Sequence, residues 1–533
     1  MIVTTAAEMR RIDALTIESG IPSATLMERA GTGAAEALLA RFPHVRKTGV
    51  VVVAGKGNNG GDGFVVARVL KRKRVRCEVV LAARSDDVRD PARAKLRAWQ
   101  RAGGKTTTIT ADDLGPLQRA LARAGCVVDA LFGTGLTGEM TGLPAEAITL
   151  VNASGLPTVA LDIPSGLDSD RGVALGVAIE AELTVAFAAP KIGTIVYPGA
   201  RYTGELVVVD IGIPDDVIAA VAPMTEAILV ADAGALVRPR DPESHKGTNG
   251  HVVVIAGGRG KTGAVVLASR AAARAGAGLV TAGVPASEQE SVATRLLEEM
   301  TAPLPDDGVG TFAFTSRDDR GVRAGAAQPS TAGADAYAAL LDGKRALVTG
   351  PGMGVSPATE QLVAWIVTHA PLPAVIDADA LNCLAARPPQ GAWGTQERPR
   401  ILTPHPGEMA RLMGVDGAAV QADRVGMARR LAAERGVIVV LKGARTVIAE
   451  PDGHVAINCS GNPGLGSGGT GDVLAGMLGG LLAQGYPAAD AARLGVFLHG
   501  YAADRVAARR GMVGLLASDV IEELPAATAA LAP

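Results

Sequence analysis

Apolar residues near the start of the chain recur at helical spacing through Met9, Ile12, Leu15 and Ile17. Gly20-Ile21-Pro22 breaks that run, and a second helix starts at Pro22-Ser23 with Leu26, Met27, Ala30 and Ala34 on one face. The pattern then changes. Val50, Val51, Val52 and Val53 form an unbroken β-branched run that suits a buried strand. A glycine-rich run over residues 55–63 follows, and residues 64–70 return to helical spacing. Strand, glycine turn and helix repeat downstream, with strands predicted at 77–82, 126–132, 159–163, within 182–198 and from 204. A joint is predicted at about 215–228. The alternation then resumes, with strands at about 250–256, 348–349, 374–377, 401–403 and 437–441. The last glycine run, Asn462-Pro463-Gly464-Leu465-Gly466-Ser467-Gly468-Gly469-Thr470-Gly471-Asp472, opens directly into an apolar helix. Alternation of this kind predicts an α/β chain with parallel sheets, whose ligands sit at the carboxyl ends of the strands.

Composition sharpens the picture in a few places. A length of 533 residues predicts two to four domains. Only 3% of residues are aromatic, so the cores must be built from Val, Leu, Ile and Ala. Fifty-two basic against 54 acidic residues give a formal charge of −2, which offers no electrostatic footprint for nucleic acid or an anionic membrane. Lys71-Arg72-Lys73-Arg74 reads mainly as a solvated helix end, with a phosphate contact as the alternative. Cys77, Cys126, Cys383 and Cys459 are far apart, which argues against a disulfide framework or a zinc site and fits a reducing cytosol. The start has no signal-peptide pattern, and no apolar stretch reaches the length of a membrane span, so a cytoplasmic protein is expected. Residues 304–334 have little periodicity and read as an irregular insertion.

The candidate chemistry lies in the glycine turns. Asn58, Asn59, Gly60, Gly61 and Asp62 place directed amide and carboxylate groups at a helix entrance, which favours a ligand site over a plain tight turn. Asp129 and Asp162 stand at strand ends, where a carboxylate must meet a cation, a polar ligand or a backbone N–H. Lys191 follows a strand, a position more often on the surface. His405 sits between two prolines on a rigid turn and leans functional. Asp472 reads equally as a helix-capping acid or as a base facing a ligand on the loop.

Residue motifs then carry a family resemblance. LMERAG, GKGNNGGDGF, DALFGTGL, LDIPSGLD, AAPKIG and VDIGIP occur in that order over residues 1–214, and this half resembles the epimerase domain of bifunctional NAD(P)H-hydrate repair enzymes. The resemblance implies a Rossmann-like αβα sandwich. It places the hydrated nucleotide on Asn58, Asn59, Gly60, Gly61, Asp62, Gly133, Thr134, Gly135, Leu136, Thr137, Gly138 and Glu139. It gives K⁺ to Asn59, Asp129 and Ser165, and acid–base work to Asp162, with Lys191 as a weaker helper. Arg29 departs from the Asn usual in LMENAG.

HKG, GPGMG, DADALN, TPHPGE, LKGART, NPGLGSGGTGDVLAG and LHGYAAD similarly make residues 228–533 resemble the ribokinase-like ADP- or ATP-dependent NAD(P)H-hydrate dehydratases. Here the resemblance implies a second αβα domain. Lys442, Gly443, Ala444, Arg445, Thr446 and Gly471 would contact an adenine nucleotide, expected to be ADP with Mg²⁺. Ala264, Gly352, His405 and Asp472 would contact the substrate, with Asp472 as the base. The implied partners are small molecules, the hydrates of NADH and NADPH together with ADP, in a homo-oligomer that binds neither nucleic acid nor membrane. The alternative is a ribokinase-like small-molecule kinase behind a nucleotide-binding or interaction module.

Overall fold

A computed structural model describes residues 1–136, 138–315 and 333–532. Thr137 and most of the expected insertion lie outside the described residues. The chain forms two compact units, one of residues 2–226 and one of residues 227–533 joined by Met1. Strand β1 (Ile2–Val3) pairs antiparallel with the start of β9 (Thr225–Ile228), Ile2 opposite Glu226 and Val3 opposite Thr225. Neither strand is legible from periodicity, because each is only two to four residues long.

The N-terminal unit is organised by a parallel sheet. Its strands are β2 (Val50–Ala54), β3 (Cys77–Leu81), β4 (Thr106–Thr108), β5 (Val127–Ala130), β6 (Thr158–Leu161), β7 (Leu183–Phe187) and β8 (Glu205–Val209). Their order is β4-β3-β2-β5-β6-β7-β8. The order reverses between β2 and β5, and a crevice at that switch point is where a doubly wound sheet takes its ligand. Val50 to Ala54 are all buried, as the unbroken valine run requires of a strand covered on both faces.

The glycine turn after β2 differs from its prediction as a loop. Asn58 to Arg72 is one 15-residue helix, so Asn58 to Gly63 form its first turns. Close packing explains the glycines. A Cβ on Gly60 would stand 2.0 Å from the Gly55 carbonyl oxygen, and one on Gly61 would stand 2.6 Å from the Met27 sulfur.

The C-terminal unit carries a longer run of parallel strands: β10 (His251–Ile255), β11 (Leu279–Pro285), β12 (Met300–Leu304), β13 (Ala346–Thr349), β14 (Ala374–Ile376), β15 (Arg400–Leu402) and β16 (Ile438–Leu441). The antiparallel strands β17 (Val447–Ala449) and β18 (Val455–Asn458) extend it. These strands lie in the order β18-β17-β16-β15-β14-β13-β10-β11-β12. The helix Thr470–Ala483 is apolar almost all round because it is buried almost all round. It packs on the helix Thr262–Arg274 at backbone distance, since a Cβ on Gly476 would lie 2.0 Å from the Ala268 carbonyl oxygen. Among the described residues no helix is long and apolar enough to cross a membrane.

Candidate active sites

In the N-terminal unit the carboxyl ends of β2, β5, β6 and β7 surround a cavity of about 890 Å³. Asn58, Asn59, Asp62, Gly133, Thr134, Gly135, Leu136 and Asp162 line it. Gly138 and Glu139 instead line an adjoining recess of about 520 Å³. Gly60 and Gly61 do not line this cavity; they pack against the Gly55 carbonyl and the Met27 side chain.

Asp162 holds a left-handed backbone at φ 68°, a strained conformation for a non-glycine residue, at the point where β6 ends. Its carboxylate forms an ion pair and short hydrogen bond with Lys191. Lys191 overturns the surface reading. It is buried, and its ammonium also donates to the carbonyls of Ala189 (3.0 Å) and Phe187 (3.4 Å). A cation so enclosed needs the carboxylate beside it. Lys191→Met therefore leaves Asp162 without its partner and costs the unit roughly 3–5 kcal/mol. Amide hydrogen exchange checks this: protection should fall in Thr158–Leu161 and Leu183–Phe187 and stay unchanged in Ile438–Leu441.

Behind the cavity wall, Asp129 accepts hydrogen bonds from the Ser165 N–H (2.8 Å), the Ser165 hydroxyl (2.7 Å) and the Leu131 N–H (3.2 Å). Burial pushes its pKa up to about 6 against those donors. Asn59 donates from Nδ2 to the Phe132 carbonyl at 2.7 Å, while its Oδ1 is buried with no partner among the described residues. Arg29, the departure from LMENAG, donates to the carbonyls of Ile211 (3.0 Å) and Gly212 (3.5 Å). It braces the turn after β8.

In the C-terminal unit the strand ends again converge. Asp377 follows β14, Thr403 and His405 follow β15, and Lys442 follows β16. The buried Asp377 carboxylate accepts from Lys442 Nζ at 2.7 Å and from the Thr403 hydroxyl at 2.7 Å. Lys442 Nζ also lies 3.9 Å from Glu408. Burial works against the Lys442 charge, but Asp377 and Glu408 outweigh it and hold its pKa above the ordinary lysine value.

Gly469 caps the helix Thr470–Ala483 in a left-handed conformation, which sets Asp472 in the first helical turn. Burial and then the like charge of Asp377 push Asp472 up to about 7, against the pull of Lys442. A Cβ on Gly471 would come within 3.4 Å of Lys442 Nζ, so the glycine turn and the lysine share one pocket.

His405 is an N-cap: its Nδ1 accepts from the N–H groups of Gly407 (3.0 Å) and Glu408 (3.3 Å). The ring proton therefore sits on Nε2, 3.4 Å from a Glu408 oxygen. Burial, Lys442 and Arg411 lower its pKa, so it stays neutral. Gly352 and Ala264 face each other, with 3.1 Å between the Ala264 Cβ and a Cβ placed on Gly352. Arg445 instead turns to the Cys459 carbonyl at 3.0 Å, and the Thr446 hydroxyl to the Gly443 carbonyl at 3.0 Å.

The chain matches the NAD(P)H-hydrate dehydratase family over residues 252–526 and the YjeF-related protein N-terminus over residues 23–193. It is 43% identical to the bifunctional NAD(P)H-hydrate repair enzyme of Moorella thermoacetica, over 98% of this chain and 96% of that one. The chain belongs to the bifunctional NAD(P)H-hydrate repair enzymes. The repair enzyme of Escherichia coli K12 is 36% identical over 95% of this chain and 89% of its own length. A dehydratase from Bacillus subtilis, described as ADP/ATP-dependent and co-crystallised with ATP and Mg²⁺, is 30% identical over 57% of this chain and 97% of its own, with a TM-score of 0.47. Like other NAD(P)H-hydrate repair enzymes, the chain joins an epimerase and a dehydratase. The sequence singles out neither Asp377, which accepts from Lys442, nor Asp13, which lines the cavity of the N-terminal unit. Asp377 is legible only as an acid at a strand end, and Asp13 lies in a helix with no glycine turn to mark it.

Proposed function

We propose that residues 2–226 form the epimerase, which interconverts the R and S hydrates of NADH and NADPH. Residues 227–533 then form the dehydratase, which restores the reduced cofactor from the S hydrate while converting ADP to AMP and phosphate. The observation that carries the reading is the meeting of Asp472, Lys442 and the glycine turn at one set of strand ends. Asp472 takes the proton of the substrate hydroxyl, and the oxygen attacks the terminal phosphoryl group. The bridging P–O bond breaks toward AMP. Phosphate then leaves the ring carbon as the neighbouring carbon loses a proton, and the ring double bond returns.

Lys442 and the N–H groups at the start of the helix Thr470–Ala483 suit the phosphates. Gly352, Ala264 and neutral His405 frame the substrate side. Among the described residues no group of three or more His, Cys, Asp or Glu side chains is placed to hold a metal ion, so Mg²⁺ would arrive with the nucleotide and be held chiefly by its phosphates. When bound, Mg²⁺ would neutralise charge on the transferring group.

In the epimerase unit, K⁺ would fit the buried Oδ1 of Asn59, which has no partner among the described residues, beside Asp129 and Ser165. A cation there would satisfy that oxygen and fix the loops carrying Phe132 and Ser165. Incubation of the full chain with the S hydrate of NADPH and ADP tests the dehydratase: NADPH absorbance should return with stoichiometric AMP and phosphate. A stable phosphorylated product without NADPH would make the protein a kinase instead.

A further inference from the structure

The cavity of the N-terminal unit holds a carboxyl that the Asp162–Lys191 pair and the glycine turns leave without a role. Asp13 sits on the helix Ala6–Glu18, where Met9, Asp13 and Ile17, spaced four residues apart, line the cavity from one helix face. Two ties fix that face. Thr5 and Glu8 form a capping box, with the Thr5 N–H donating to the Glu8 carboxylate at 2.7 Å, and the Ala6 N–H donates to Asp170 at 2.7 Å. The Asp13 carboxyl has no hydrogen bond or ion pair among the described residues, although it is drawn by Lys191 and repelled by Asp162.

Burial, opposed by Lys191 and aided by Asp162, pushes the Asp13 pKa up to about 6. Asp62 also faces the cavity, raised well above the usual range by burial and then by Asp162 and Asp13. Arg10, Lys56 and Asp87 complete the charged lining. One buried ammonium thus faces three carboxyls, and a site of that charge holds protons on the carboxyls that Lys191 does not touch.

We propose that Asp13 is a catalytic residue of the epimerase, giving a proton to the substrate hydroxyl while Asp162, braced by Lys191, takes one from the incoming water. The proposal rests on the epimerase reading of this unit. The hydrate carries its hydroxyl on the ring carbon next to nitrogen. Protonation by Asp13 lets the C–O bond break with its electron pair leaving as water, and the nitrogen lone pair closes a C=N⁺ bond. Water adds to the opposite face, Asp162 accepts its proton, and the electron pair returns to nitrogen. The substrate gains and loses no atom, one proton passes from Asp13 to Asp162 and returns through exchange with solvent before the next turnover, and the reverse epimerisation exchanges the two acids' roles.

The test uses the full chain and purified S hydrate of NADPH without nucleotide, with R formation followed by separation of the epimers. Asp13→Asn should lower kcat about 100-fold or more with KM within about threefold. Wild-type activity should decline on the alkaline side as Asp13 loses its proton, and the residual activity of the variant should lack that decline. Asp13→Glu should recover most of the rate, and dehydration of the S hydrate with ADP should stay within about twofold in both variants. An Asp13→Asn enzyme within about threefold of wild type in kcat, or one altered only in KM, overturns the role while leaving the epimerase assignment standing. A wild-type chain that forms no R hydrate overturns the assignment and the role together.

Discussion

Asp472→Asn should reduce recovery of NADPH from the S hydrate by about 100- to 10,000-fold, the range expected for loss of a positioned general base. The amide keeps the shape of the side chain and the first helical turn, but it cannot take the hydroxyl proton. Burial and the like charge of Asp377 raise the Asp472 carboxyl to about 7. A base must be ionised to act, so the wild-type rate should fall as pH falls through about 7 and level off above it. That acid limb should vanish in the variant. Interconversion of the R and S hydrates should be unaffected, because the residues proposed for it lie in the other unit. Steady-state dehydration of purified S hydrate across pH, with an epimer ratio measured in parallel, reads both outcomes. A variant that keeps the acid limb would assign it to another group in the site.

Asp162→Asn should have the opposite signature. Epimerisation should fall by about 100- to 10,000-fold, while the S hydrate is still dehydrated at the wild-type rate. The reason is geometric as well as chemical. Asp162 is presented from a left-handed turn at a strand end and is bound to a lysine that has almost no access to water. Asn preserves a hydrogen-bond acceptor for Lys191 but removes the charge, so some loss of stability is expected beside the loss of rate. Hydrogen exchange in Leu183–Phe187 separates the two effects. Unchanged protection with lost epimerisation is the expected pattern for a chemical role, whereas global deprotection would mark a folding defect.

Both units were legible as strand-turn-helix repeats because buried parallel strands demand continuous aliphatic runs such as residues 50–53 and 438–441. The second helix starts where Pro22-Ser23 predicts, whereas the strands predicted at 126–132 and 159–163 end two residues early, at Ala130 and Leu161, ahead of the glycine or proline that follows them. The turn at Asn58 was misread as a loop because its glycines look like flexibility, whereas they permit close packing of a helix on Gly55 and Met27. Periodicity could not place Lys191 either. Its burial follows from an ion pair with Asp162, 29 residues earlier, and a pairing at that separation leaves no local signal. Asp377 and Asp13 share this difficulty. Each gains its meaning from neighbours on other elements, Lys442 and Thr403 for the first and the Asp162–Lys191 pair for the second.

Two sites on one chain should together recover both epimers. The most direct measurement supplies the full chain with an equilibrated mixture of R and S hydrates of NADPH, together with excess ADP, K⁺ and Mg²⁺, and follows NADPH absorbance to its end point. The whole mixture should convert, with Asp162→Asn stopping near the fraction present as S, apart from slow uncatalysed interconversion. A wild-type reaction that stops at the S fraction would contradict that expectation.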